Sequence, residues 1–477
     1  MRPGIPPMNP PQTIRSRRRR WAALGLIAIV AAAFVGLQLG RGPSAVERWM
    51  DSQRARGERF TLAELEMDQR PPLASPVLDA IDAAQPAVVW FHRLNPDETL
   101  DSSGRDGNVP RVLWQQPGVE SVAGLTAHWE VMHDRLDKVE TALADLRHAL
   151  RHQVPDPGGN YSHLTGGPRP NFVAMRTAAQ VLADAVVIEL HRGNTDRALA
   201  NLVALIQLAG QHAELYTLVH QMIRIAITGL ALDSTWQALQ WTEWNEAELA
   251  LVQAELEQLT LLPGVLRCLE IERAMGLEVF DLLQETLSGP AATAMGSGFL
   301  NRIQLWAWRG LWSRRDLLFY LHAYQNGLDG LREWNDGAAM IPVGLRLATA
   351  AEEEKRRVRQ PFRYPGMVVS AFALPNLQRV VEVAFRTETR RRLAVVAVGL
   401  GRFRLLHGRY PDELAELVPA FLAVLPADPY TAQPFGYRLT DAEHPRLWSV
   451  GADGVDDGGT IESDEVWLLP ADPEALP

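Results

Sequence analysis

A chain of 477 residues, 47% of them hydrophobic, can fill two or three domains, and its 36 Gly and 32 Pro are too few for bulk disorder. Its formal net charge is -10, and nine of those units come from the segment starting at Asp441, where ten acidic residues face only Arg446. Such an acidic chain excludes nucleic acid as its general partner, because nucleic-acid binders carry a basic footprint. The single cysteine, Cys268, excludes an intrachain disulfide and, lying in an apolar helical run, reads as a core residue rather than a nucleophile.

Residues 1–20 form a Pro-rich, then basic, cytoplasmic tail that ends in Arg15 and Arg17 to Arg20. The nineteen positions from Trp21 to Leu39 carry no charge. At about 1.5 Å per residue they nearly span a bilayer core of about 30 Å. The Arg cluster in front favours an N-terminus kept in the cytoplasm, and Trp21 sits where an interfacial aromatic belongs. The expectation is a single-pass inner-membrane protein that meets the lipid bilayer through Trp21 to Leu39, with its bulk periplasmic. The alternative is a cleaved signal peptide using Ala31-Ala32-Ala33, but the apolar run continues past those residues through Leu37.

Residues 40–120 read as linker with short helices, near Ala45 to Arg56 and Thr61 to Met67, followed by a break at Pro71-Pro72 and loop punctuation over 94–119. Residues 121–374 read as an α-helical body. A first helix ends near Arg151, before Pro155 to Gly159. A second places Val181, Leu182, Ala185, Val186 and Leu190 on one stripe, with Gly193 where a left-handed cap is wanted. Asn194 or Thr195 caps the next, which has Asp196 in its first turn and Leu199, Leu202, Val203 and Ile206 at helical spacing. A third follows through Leu215, Leu218, Val219, Met222, Ala226 and Leu230. This Gly-Asn-Thr-Asp turn looks like one tetratricopeptide-type hairpin, with no second copy at a fixed period. Further helices are expected at 245–260, 264–287, 314–334 and 342–358. Trp306, Trp308, Trp312 and Trp334 read as core, with a ligand groove as the sharper alternative.

Residues 375–477 read as a closing α+β module. A long helix after Pro375 runs to His407-Gly408, Pro411 prevents its resumption, and a short helix spans Asp412 to Leu417. Phe435 to Leu439, Leu447 to Val450 and Val466 to Leu469 are strand candidates for a short antiparallel sheet. The order Gly408-Arg409-Tyr410-Pro411, Leu425-Pro426-Ala427-Asp428-Pro429, Phe435-Gly436-Tyr437-Arg438 and Ser449-Val450-Gly451-Ala452-Asp453-Gly454 resembles the globular part of the major pseudopilins of type II secretion systems, over about 375–470. The whole chain looks like large bacterial membrane-anchored helical proteins that carry the same ending. It departs from a pseudopilin in having no Gly-Phe-Thr-Leu-x-Glu site before its apolar segment and some 335 residues between anchor and tail. Phe60 to Glu64 echoes that site, but lies beyond the anchor. The resemblance therefore implies a shared module rather than a shared pilus.

By resemblance, the tail loop implies a structural Ca2+ site. The residues permit it independently, since calcium takes six to eight hard oxygens on a tightly turned backbone. Asp453, Asp456, Asp457, Asp464 and Glu465 offer carboxylates, and Gly454, Gly458 and Gly459 allow the turning. An EF-hand fails at Val455 and lacks a following helix, and an acidic solvated loop is the plain alternative. No Gly-x-Ser-x-Gly, phosphate-binding or His-Glu-x-x-His motif occurs. His148 and His152, one turn apart, lack a third ligand. The basic run Arg386, Arg390, Arg391 and Arg392 is a solvated face or docks the acidic tail. The reading is a non-enzymatic interaction or scaffold protein with envelope proteins as partners. The alternatives are an envelope hydrolase using carboxylates of the helical body and an accessory of a secretion or pilus machine.

Overall fold

The computed structural model describes residues 44–65, 76–92, 129–151, 171–211, 217–240, 244–286, 308–335, 339–340, 369–439, 445–460 and 464–468. The anchor segment, His152, Trp306 and the helix expected at 342–358 lie outside them. The chain divides at Glu58 into two compact units. In the first, α1 (Ala45–Arg54) opens with a capping box between Ser44 and Glu47, and Gly57 turns the chain at φ 93°.

The second unit is mainly helical. It contains α2 (Pro76–His92), α3 (Trp129–Arg151), α4 (Phe172–His191), α5 (Thr195–Gly210), α6 (Leu218–Ala238), α7 (Glu246–Gln258), α8 (Leu262–Thr286), α9 (Ser313–Asn335, entered through a π-turn) and α10 (Val369–His407). A three-stranded antiparallel meander follows: β1 (Gly436–Leu439), β2 (Pro445–Ser449) and β3 (Glu465–Leu468). Helices α2 and α3 pair, as do α4 and α5; α2 packs on α4 and α4 on α6, while α3 packs on α5 and α5 on α7. The hairpins thus stack in two rows, although their sequences share no period. One reason is that the α4–α5 connection is three residues, Arg192 to Asn194, whereas α2 and α3 lie 36 residues apart.

Local chemistry explains the tight turn. Gly193 takes φ 73°, and the Asn194 side chain accepts from the Arg197 amide at 3.4 Å, as expected for the cap. Helix α4 is buried on every side from Val181 to Leu190, so it forms the centre of the body rather than one of its faces. Helix α2 was not anticipated. Its buried residues Val77, Ile81, Ala84, Val88 and Phe91 recur at three and four, but Pro86 inside it masks the pattern. Its last carbonyls are met from α3, where buried Arg135 donates to Phe91 O and Trp90 O at 2.7 Å each.

Two expectations need correction. Helix α10 begins at Val369 and runs through Pro375 rather than starting after it. Asp316 of α9 accepts from the Val369 and Ser370 amides at 3.0 and 3.2 Å, supplying a tertiary cap for that earlier start. On α6 the buried face is rotated. Val219 and Ala226 are exposed, while His220, Gln221 and Arg224 are buried. Arg224 repays its burial by donating to Ala209 O, Thr260 O and the Gln221 side chain, so hydrophobicity alone points to the wrong stripe.

Cys268 is fully buried, and Trp308 and Trp334 are core residues whose indoles donate to Asp316 and Pro429 O. Among the described residues one stretch, Glu246–Glu285, is long and apolar enough by composition to cross a membrane. It forms α7 and α8, and 50% of its most apolar window is buried inside the protein. The Phe60 to Glu64 echo is also structural. Phe60 is fully buried, its ring lies 4.3 Å from the Arg273 guanidinium, and Glu64 accepts from the Phe60 and Thr61 amides.

Candidate functional site

The tail module is built on α10. Gly408, at φ 68°, ends the helix, and Tyr437 Oη donates to Pro411 O at 2.8 Å, tying β1 to the turn that follows. Gly436 lies opposite Trp448, whose indole occupies the space a Cβ would need. Asp428 is buried, and it accepts from the Tyr430 amide at 2.9 Å and the Val450 amide at 3.2 Å. The Asp-Pro turn is thereby clamped to the end of β2, just where the acidic loop begins.

In that loop Gly451, Gly454, Gly458 and Gly459 all have positive φ, between 69° and 77°, the conformation glycine adopts without strain. Asp453 Oδ1 accepts from the Val455 amide at 3.1 Å, and Asp456 Oδ1 from the Gly458 amide and the Trp448 indole at 2.9 Å each. Asp457 contributes its carbonyl to the Thr460 hydroxyl. Asp464 Oδ2 accepts from the Gly459 and Thr460 amides at 2.8 and 3.1 Å, while its buried Oδ1 has no partner. Glu465 faces α10 instead and pairs with Arg386 at 2.8 Å. Asp453, Asp456 and Asp464 are therefore each engaged with the loop's own backbone and Asp457 with Thr460, while Glu465 leaves the loop for Arg386. Among the described residues no three His, Cys, Asp or Glu side chains come close enough to hold a metal. Asp464 thus keeps one buried oxygen without a partner while its other oxygen orients the backbone.

A second polar constellation, with no motif to announce it, joins α3, α4 and α5. Glu189 is fully buried in α4 and lies 3.4 Å from Arg192 and 3.8 Å from Arg197, which also approaches Glu140 at 3.9 Å. Arg147 pairs with Glu140 and donates to Asn201 at 2.7 Å. Arg192 grips Asp137 through both guanidinium nitrogens at 2.8 and 2.9 Å. Glu140 Oε2, Glu189 Oε2 and Asn201 Nδ2 are buried without a partner.

Burial pushes the Glu189 carboxyl above the usual range; Arg192 and Arg197 pull it down, and Glu140 and Asp137 add to the rise. At the rim the rings of His133 and His191 meet with nitrogens 3.4 Å apart, and burial followed by the neighbouring His133 lowers His191. Asp184 and Glu189, the only charges between Ala178 and Leu190, were the available signal. The members lie up to 64 positions apart on three helices, so spacing could not assemble them. His148, by contrast, is exposed on α3. No protein-family model, curated protein or solved structure matches this chain.

Proposed function

We propose that this chain is a non-enzymatic interaction or scaffold protein of the bacterial envelope, held in the inner membrane by Trp21 to Leu39 with its body on the periplasmic side. The observation that supports it best is the stacking of the hairpins α2–α3 and α4–α5 with α6 and α7 in two rows. Stacked helical hairpins serve as rigid, extended surfaces for other proteins. The test is crosslinking of the full-length chain in intact membranes, followed by pull-down. Reproducible envelope-protein partners support the reading, and crosslinks confined to copies of the chain itself would sink it. Recovery of pilin-like subunits would single out the secretion-machine accessory.

One observation favours a second reading, an envelope hydrolase. Glu140 and Glu189 sit in one buried network with a raised Glu189 carboxyl, as a general acid requires. Hydrolytic turnover by the purified chain, lost in Glu189→Gln at unchanged melting temperature, would favour it. A structural Ca2+ held by Asp453, Asp456, Asp457 and Asp464 is compatible with either reading. Millimolar Ca2+ should raise the melting temperature of the full chain by about 2–4 °C if it sits near 100 times its dissociation constant. Asp464→Asn should abolish the shift, and equal melting curves with and without Ca2+ would remove the ion.

A further inference from the structure

The acidic tail and the body meet along a cleft of about 310 Å³ between α6, α10 and β3. Three local periodicities aim side chains into it: Asp233 and Trp236 are three apart on α6, Arg390 and Leu393 three apart on α10, and Glu465 and Trp467 two apart on β3. Arg390 pairs with Asp233 at 2.6 Å, and Glu465 with Arg386 at 2.8 Å. The cleft is therefore walled by two indoles and a leucine, with both signs of charge at its edge. Trp467 is only 4% exposed, and its indole N–H has no hydrogen-bond partner.

We propose that this cleft binds a small zwitterion with an apolar body, a free amino acid or a short peptide. Its volume lies at the small end of ligand pockets, which run from about 300 to 1,000 Å³. The balance of its charges disfavours nucleotides and other polyanions. The Arg390 and Asp233 side chains are 32% and 42% exposed, so their ion pair is weak and opens cheaply. A ligand carboxylate on Arg390 and an ammonium on Asp233 replace both halves without leaving a charge unpaired. Trp236 and Trp467 receive the apolar side chain, and their faces also favour the ammonium. The inference does not depend on the scaffold reading, because it rests on the charges and indoles of the cleft and not on a surface for other proteins.

Calorimetry and ligand-detected NMR on the detergent-solubilised full chain test it, with L-phenylalanine, L-leucine and the dipeptide Leu-Leu as probes. N-acetyl-phenylalanine and phenylalanine amide serve as singly charged controls. The expected result is binding near about 1 mM or tighter for at least one zwitterion, and about tenfold weaker binding of the capped controls. Arg390→Gln and Asp233→Asn should each cost about tenfold. The proposal is overturned if none of the three zwitterions binds, or if the capped controls bind as well as they do. Because those arms need no variant, a misfolded mutant would not shield it. Failure here would leave the pull-down outcome untouched.

Discussion

Asp428 organises the tail with two oxygens. Its carboxyl is raised by burial, despite the Tyr430 amide, the Ser449 hydroxyl and the Val450 amide that all donate to it. Asp428→Ala strips the partner from two backbone donors, at about 1–3 kcal/mol for each that stays buried and unpaired. We expect a stability loss of about 2–4 kcal/mol by urea denaturation. A loss under about 0.5 kcal/mol, the size of an ordinary surface substitution, would show that the clamp is not structural. His191 makes a pH-dependent prediction. Its imidazole is depressed by burial and then by His133, so between its folded value and the unfolded value near about 6.5 the unfolded chain binds the proton more readily. Stability should therefore fall as pH drops below about 6.5. Glu189 works the other way, because its carboxyl, raised by burial against the pull of Arg192 and Arg197 and with Glu140 and Asp137 adding to the rise, favours the folded state as pH falls. His191→Asn should flatten the decline between pH 7.5 and 5.5, and an unchanged slope in denaturation at the two pH values would discard the assignment.

At the scale of elements, the basic face of α10 does dock the acidic tail, through the first arginine of the run rather than through Arg391 and Arg392. Arg386 pairs with Glu465, whereas Arg391 and Arg392 close on Glu388 of their own helix and reach Leu256 O and Ala427 O. Arg386 is 69% exposed, so Arg386→Glu should cost at most about 1 kcal/mol, and less at 1 M salt, where the Debye length is about 3 Å. Arg391→Glu would set a new carboxylate beside buried Glu388 and should cost about 3–5 kcal/mol whatever the salt. Equal, salt-sensitive losses in the two variants would contradict this division. Elements with local signals were legible in the sequence: the Gly193 and Gly408 caps, the three strands and the Asp428-Pro429 turn before them. The start of α10, helix α2 and the buried face of α6 were not, because each depends on a partner far along the chain, such as Asp316 for α10 and the carbonyls that meet Arg224. The acidic loop was legible as a turned, carboxylate-rich segment, but the departure of Glu465 to Arg386 was not, because that pair spans 79 positions.

At the scale of the molecule, resemblance to a small secretion module suggests a tail that stands alone, and the packing argues otherwise. Leu393, Val396, Leu400 and Phe403 of α10 belong to one continuous core with Val181 and Leu182 of α4, Leu205 of α5, Leu249 and Val252 of α7, and Leu447 and Trp467 of the sheet. Gln253 of α7 donates to Phe421 O at 2.8 Å, and Arg402 of α10 reaches both Gln253 and Phe421 O. A fragment spanning 375–477 would keep the strands and lose the α6 and α7 faces that cover α10. Exposing four such aliphatic and aromatic side chains forfeits about 1.5–3 kcal/mol for each, comparable with the whole stability of a small domain. The fragment should therefore lack a cooperative thermal transition and bind a hydrophobic dye, while the full chain melts its helices and sheet together. A sharp melt in the isolated fragment, followed by circular dichroism, would show that the tail carries its own core. The module would then be a detachable domain, and the cleft beneath β3 an interface between two folding units rather than part of one.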